Sequence, residues 1–112
     1  MLAAREPLLA YLEKPARRRL VRVVRTYGDH VFTVALRVAG NEEDAADIAQ
    51  DVFVELLASP PAAASVRSPR GYLAWRVITR ASRMRRSDQR RRAREAENFR
   101  RAAPPLSATR RL

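Results

Sequence analysis

Apolar side chains recur along this chain at spacings of three and four, the period of a helix with one buried face. The pattern is fullest from Asn41 to Leu57, NEEDAADIAQDVFVELL. There Ala45, Ile48, Ala49, Val52, Phe53 and Leu56 define a core-facing side, while Asp44, Asp47, Asp51 and Glu55 keep the same period on another. The bounds of this helix are marked chemically: Gly40 stops whatever helix precedes, Asn41 is a good N-cap, and Glu42, Glu43 and Asp44 fill the first turn, where carboxylates meet the positive helix end. Upstream, after Pro15, the positions Leu20, Val24, Tyr27, Val31, Val34 or Ala35, and Val38 hold one face from about Ala16 to Ala39. That span predicts one long helix or two abutting ones, with Gly28 and Asp29 as the kink or break point. Around Leu8, Leu9, Tyr11 and Leu12 a short helix is expected, ending before Pro15 because the residue preceding a proline is pushed out of helical geometry.

After the acidic helix, Ser59 to Pro69 (SPPAAASVRSP) holds three prolines and reads as a loop of about ten residues, either functional or a plain surface connection. A further helix starts at Pro69 or Arg70. Leu73, Ala74, Val77, Ile78, Ala81 and Met84 give its apolar face, and Arg76, Arg80, Arg83, Arg90 and Arg94, with Ser87 between them, trace a basic stripe opposite, facing away from the core. Beyond about Ala96 the pattern fades through Asn98 and Pro104 into what reads as a disordered basic tail. The fold class is therefore all-α, a three-to-four-helix bundle, divided into an N-terminal extension (1–15), a helical domain (16–95) and the tail (96–112).

Charge sharpens this division. Of the net +11, residues 1–65 contribute −1, with 8 Lys or Arg against 9 Asp or Glu, and residues 66–112 contribute +12, with 15 against 3. An excess confined to one end, and almost wholly arginine, points to a polyanion, either nucleic acid or an anionic membrane surface, and the guanidinium makes bidentate phosphate contacts and stacks on bases. Arginines at helical spacing neutralise phosphates and release counterions, which gives salt-dependent binding that is indifferent to sequence. Tyr72 and Trp75 flank the start of the basic helix, where they either stack on unpaired bases or serve as a core and a rim residue.

Other chemistries find no support. Without cysteine there is no disulfide framework or thiolate metal site, and His30, the only histidine, is read as a partly exposed helix residue without a role. No Ser-His-acid set fits any useful spacing, and three glycines make no phosphate loop, so an enzyme is rejected and no cofactor is expected. The carboxylates face away from the apolar stripe, whereas a bundle metal site needs inward ligands. No apolar run nears the roughly 20 residues of a membrane span, and the N-terminus lacks the pattern of a secretory signal, so a soluble cytoplasmic protein with no membrane partner is expected.

The order DAxDxxQDxF, formed by Asp44, Ala45, Asp47, Gln50, Asp51 and Phe53 after Gly40-Asn41, resembles region two of bacterial sigma factors, particularly the extracytoplasmic-function group. The likeness runs from about Tyr27 to about Arg92. It implies that the acidic helix docks on the clamp helices of the largest subunit of RNA polymerase core through Asp44, Asp47, Gln50, Asp51 and Glu55, Asp51 standing where Glu is commoner. RSPRGYLAWRVITRASRMRR is similar to the promoter-melting helix of that family, in which Tyr72 and Leu73 take the wedge positions against the last paired base. Arg76 and Thr79 fall where the minus-ten element is read, and Arg80 and Arg83 where backbone phosphates are held. Arg67, Arg70 and Trp75 complete the expected surface for promoter DNA and its melted non-template strand. Thr79 and Arg83 depart from the Asn and Asp common in small sigma factors. The likeness also implies a second domain, with a helix-turn-helix, that the residues after Arg92 do not supply.

The expected function is a DNA-binding transcription initiation factor that docks on polymerase core and recognises and melts the minus-ten element. Two alternatives stay open: a truncated sigma-like module that binds polymerase or an anti-sigma protein without opening promoters, and a nonspecific basic protein that coats nucleic acid or a membrane surface, its acidic helix only solubilising. An acidic stripe with no basic partner on its own chain would speak for a dedicated docking face.

Overall fold

A computed structural model describes residues 5–102. Its helices are α1 (Pro7–Glu13), α2 (Arg17–Ala39), α3 (Glu42–Ala58) and α4 (Pro69–Ala102), with a 3-10 turn at Ala63–Ser65. The chain divides into two compact units at Ser82 and Arg83, so α4 belongs to the first unit through Ser82 and to the second from Arg83. Among the described residues the architecture is all-α, as the periodicity predicts.

In the first unit α2 packs on both α1 and α3. Leu8 and Tyr11 of α1, Val23 and Val31 of α2, Ile48 and Val52 of α3, and Leu73 and Val77 of α4 are the largest fully buried side chains. Each burial of this kind stabilises by roughly 1.5–3 kcal/mol relative to exposure. α1 is short but well anchored. Glu6 caps it by accepting from Leu9 N–H at 2.8 Å, Pro7 sits at its first turn, and Arg19 reaches from α2 to donate to the Ala10 carbonyl at 2.8 Å. The Tyr27 hydroxyl donates to the second Glu6 carboxylate oxygen and so ties the cap to α2.

α2 is one continuous helix. Gly28 neither kinks nor splits it: α2 packs on α1 and α3, and a lone glycine costs a helix only about 1 kcal/mol. The core face of α2 is Val23, Tyr27, Val31 and Ala35, an unbroken i, i+4 row, whereas the expected Val24 stands 41 % exposed. Gly40 ends the helix at φ 82°, the left-handed region where a side chain is disfavoured, and returns its N–H to the Leu36 carbonyl at 2.9 Å. Asn41 then starts α3 by accepting from Asp44 N–H at 2.9 Å.

Two further expectations shift. Phe53 and Ala49 are half-buried rather than central, leaving Ala45, Ile48, Val52 and Leu56 as the core row of α3. Ile78, read as core, is 49 % exposed, because the inward row of α4 is the narrower set Leu73, Val77 and Ala81. The Ser59–Ser68 connection contains the 3-10 turn, which packs on α1, and buries Val66.

In the second unit the helix continues to Ala102, past the Ala96 limit at which a disordered tail is expected. Ion pairs at helical spacing explain the extension: Arg91 lies 3.3 Å from Asp88 and 3.8 Å from Glu95, and Glu97 meets Arg100 at 2.8 Å and Arg101 at 3.3 Å. The rest of the expected tail, residues 103–112, lies outside the described residues.

Candidate functional site

The acidic face of α3 separates into three kinds of carboxylate. Asp44 is half-buried and engaged in the cap, accepting from the Asn41 side-chain amide at 3.0 Å while its own N–H bonds back to Asn41. Asp47 and Gln50 are exposed and take no partner among the described residues. Asp51 and Glu55, one and two turns on from Asp47, are half-buried and turned toward α4.

There they meet arginines. Arg80 brings Nε to 2.9 Å and one terminal nitrogen to 2.7 Å from the same Asp51 oxygen, and Arg76 pairs with Glu55. The expectation that the acidic stripe has no basic partner on its own chain is thus overturned for two of its four carboxylates. The physical reason is the position of these arginines around α4. Arg76 and Arg80 are flanking neighbours of the Leu73–Val77–Ala81 row, so they lie at the α3 boundary instead of opposite the core. Both side chains are less than about a third exposed, at 21 % and 32 %.

The aromatic pair sits at the start of α4. Gly71 N–H is capped by the Ser68 hydroxyl at 3.1 Å, and Tyr72 N–H by the Ser68 carbonyl at 2.8 Å, which fixes the first turn. Tyr72 is half-buried, its hydroxyl pKa raised chiefly by burial, with Arg76 opposing and Glu55 adding to the rise. Trp75 is 56 % exposed, 6.2 Å from the Tyr72 ring at a tilt of 39°, and the Arg76 guanidinium lies 5.9 Å from its centroid. An indole that open, backed by a cation, is a surface on which another flat ring can stack.

The remaining candidates disperse. Leu73 is completely buried, so its expected wedge role against a base pair is corrected: its side chain belongs to the core. Thr79 is half-buried and Arg67 exposed on the loop. Arg70 is exposed and joined to α2, its carbonyl 3.0 Å from His30 Nε2 and its guanidinium 3.3 Å from Nδ1. His30, given no role by the sequence, therefore tethers the start of α4, a contact between residues 40 positions apart that no local pattern signals. Arg83 lies exposed in the second unit.

No group of three or more His, Cys, Asp or Glu that could hold a metal ion occurs among the described residues, nor does a helix long and apolar enough to cross a membrane. Compared with known protein families, the chain matches the sigma-70 region 2 model over residues 23–92, which takes in most of α2, all of α3 and the aromatic and basic part of α4. No curated protein and no solved structure gave a match.

Proposed function

Because the chain belongs to the sigma-70 region 2 family, a transcription-factor domain and not a catalytic one, we propose that it docks on RNA polymerase core through α3 and helps recognise and melt the minus-ten element through α4. The observation that carries this reading is the pairing, within one family-matched unit, of an exposed acidic face at Asp47 and Gln50 with an exposed indole at Trp75. Asp47 and Gln50 offer a carboxylate and an amide to a cationic clamp helix at no cost in internal bonds. Asp51, Glu55 and Asp44 would border that contact, the first two only after giving up Arg80 and Arg76. On the DNA side Trp75 and Tyr72 would stack on unpaired bases, with Thr79 and Arg76 beside them and Arg67, Arg70 and Arg80 supplying phosphate contacts, while Arg83, in the second unit, would hold a phosphate by itself. Melting then needs only binding energy: captured bases favour the open over the paired state. Polymerase core and promoter DNA in its melted form are the partners this assigns, and the cytoplasm is where both are met.

A second reading is favoured by the two ion pairs. With Arg76 and Arg80 held by α3, the chain would dock on polymerase, or on an anti-sigma protein, without opening promoters. The two readings part on one experiment, in which core polymerase with the chain is given a duplex promoter or the same promoter already unpaired at the minus-ten element. Under the first, permanganate reveals unpaired thymines on the duplex, and Tyr72→Ala impairs duplex opening far more than binding to the unpaired template. Equal effects of Tyr72→Ala on both templates, or no reactive thymines with the wild type, would leave the docking module.

A further inference from the structure

The apolar residues of α2 divide between two faces. Val23, Tyr27, Val31 and Ala35 enter the core, whereas Val21 and Val24 are each 41 % exposed and, with Leu20, Tyr11, Leu57 and Pro60, line an open groove of about 640 Å³. Valine on an open helix surface serves neither helix propensity nor solubility, so two of them beside a 59 % exposed leucine ask for a cover. Four arginines accompany the groove: Arg17 lines it, and Arg18, Arg22 and Arg25 occupy the adjoining strip of α2. All four are exposed and none has a partner among the described residues, in contrast to Arg19, which is spent on the Ala10 carbonyl. No Asp or Glu lines the groove or the strip.

The bare arginines decide what fits. A trough between helices accepts a ridge of aliphatic side chains at i, i+3, i+4 and i+7, and a cationic rim selects carboxylates beside that ridge. We propose that this groove is a docking site for an acidic amphipathic helix of a partner protein. A second copy of this chain does not supply one, since the apolar row of its acidic helix α3 is already buried in its own core. Residues 103–112 carry Arg110 and Arg111 and no Asp or Glu, the wrong sign for this rim, and residues 1–4 carry no carboxylate side chain. Nor is this the surface proposed for polymerase: α3 offers carboxylates and calls for a cationic partner, whereas this groove offers arginines and calls for an acidic one. Arg17 to Arg22 also precede the family-matched segment, which begins at residue 23. The site therefore goes beyond the proposed polymerase and promoter contacts and stands independently of them.

The test uses the full chain and two synthetic helical peptides with identical leucine ridges, one flanked by glutamates and the other by lysines, each fluorescently labelled for anisotropy titration. The glutamate peptide should bind saturably, at least about tenfold more tightly than the lysine peptide, and more weakly as salt is raised. Val21→Asp with Val24→Asp, and separately Arg18→Glu with Arg22→Glu, should each cut that affinity by at least about tenfold with unchanged circular dichroism, a loss in the range of an interface hot spot. The charge reversal should also improve binding of the lysine peptide. Asp47→Arg should leave peptide binding intact, and the groove variants should leave co-purification with polymerase intact, so failure here is distinct from failure of the polymerase reading. Absence of saturable binding, equal affinity for both peptides, or a groove whose substitutions alter only self-association of the chain would each overturn the proposal.

Discussion

Arg80→Ala removes an ion pair between the acidic helix and α4, and its cost can be worked from the geometry. Two nitrogens of the guanidinium converge on one Asp51 oxygen at 2.9 and 2.7 Å, and the side chains are 32 % and 37 % exposed. Unit charges about 4 Å apart attract by about 1 kcal/mol in water and about 4 kcal/mol at an effective dielectric constant near 20. Partial desolvation and the ordering of a long side chain take back most of this, which leaves a pairwise coupling of about 0.5–1 kcal/mol. Glu55–Arg76, at 29 % and 21 % exposure, should lie at the upper end of that range. The assay is a double-mutant cycle by urea denaturation over wild type, Asp51→Ala, Arg80→Ala and the double variant, at about 0.05 M and about 1 M salt, where the screening length falls from above 10 Å to about 3 Å. The single Arg80→Ala change should cost more than the coupling, because it strands a half-buried carboxylate. A coupling below about 0.2 kcal/mol at low salt, or one that salt leaves untouched, would refute the claim that α3 holds these arginines.

Three further outcomes follow from the fold. Gly28→Ala should stabilise by about 0.4–1 kcal/mol, since the position is helical and a new methyl meets nothing within 4 Å, while Gly40→Ala should destabilise by at least about 1 kcal/mol at its φ of 82°; thermal melts of the two variants check the opposite signs. Tyr27 has its pKa raised to about 12, first by burial and then by its hydrogen bond to Glu6, against 10.0 when unfolded. The folded state therefore keeps a proton that the unfolded state has lost, stability is full below pH 10 and falls by up to about 1.4 kcal/mol per pH unit toward 12, and Tyr27→Phe should flatten that decline in denaturation curves. Leu8→Ala should cost about 2–5 kcal/mol by denaturant titration, and Phe53→Ala, only half-buried, about 1–2 kcal/mol, less than the 3–5 kcal/mol of a central aromatic.

What was legible in the sequence was local. Gly40, Asn41 and Asp44 announce the α2–α3 corner because a left-handed stop and a capping side chain act within a few residues, and the structure uses all three. The core face of α2 was legible only to within one position. The doublets Val23-Val24 and Val34-Ala35 satisfy helical periodicity in either register, and packing against α1 and α3 selects Val23 and Ala35. Arg76 and Arg80 read as a free basic stripe because nothing within α4 reveals that Asp51 and Glu55 stand beside them. That knowledge resides in contacts between residues 21 and 29 positions apart, across a proline-rich loop. The same holds for His30 and Arg70, and for Leu73, whose family position suggests a DNA contact and whose burial withdraws it. Trp75 is exposed at the surface beside Tyr72 and Arg76, an arrangement open to either a stacking or a rim role. α4 runs past Ala96 to Ala102, where Glu97 pairs with two arginines although the apolar periodicity fades.

The central claim is that the open part of the acidic face, Asp47 with Gln50, holds RNA polymerase core. The most direct measurement is co-purification of core polymerase on the tagged chain, comparing wild type with Asp47→Arg and Gln50→Ala, each checked for native circular dichroism. Both residues are exposed and off the apolar row, so the fold should survive either change. Wild type should retain polymerase, Gln50→Ala should weaken capture and Asp47→Arg should abolish it, with capture falling as salt rises. Undiminished capture by a natively folded Asp47→Arg chain would contradict the claim.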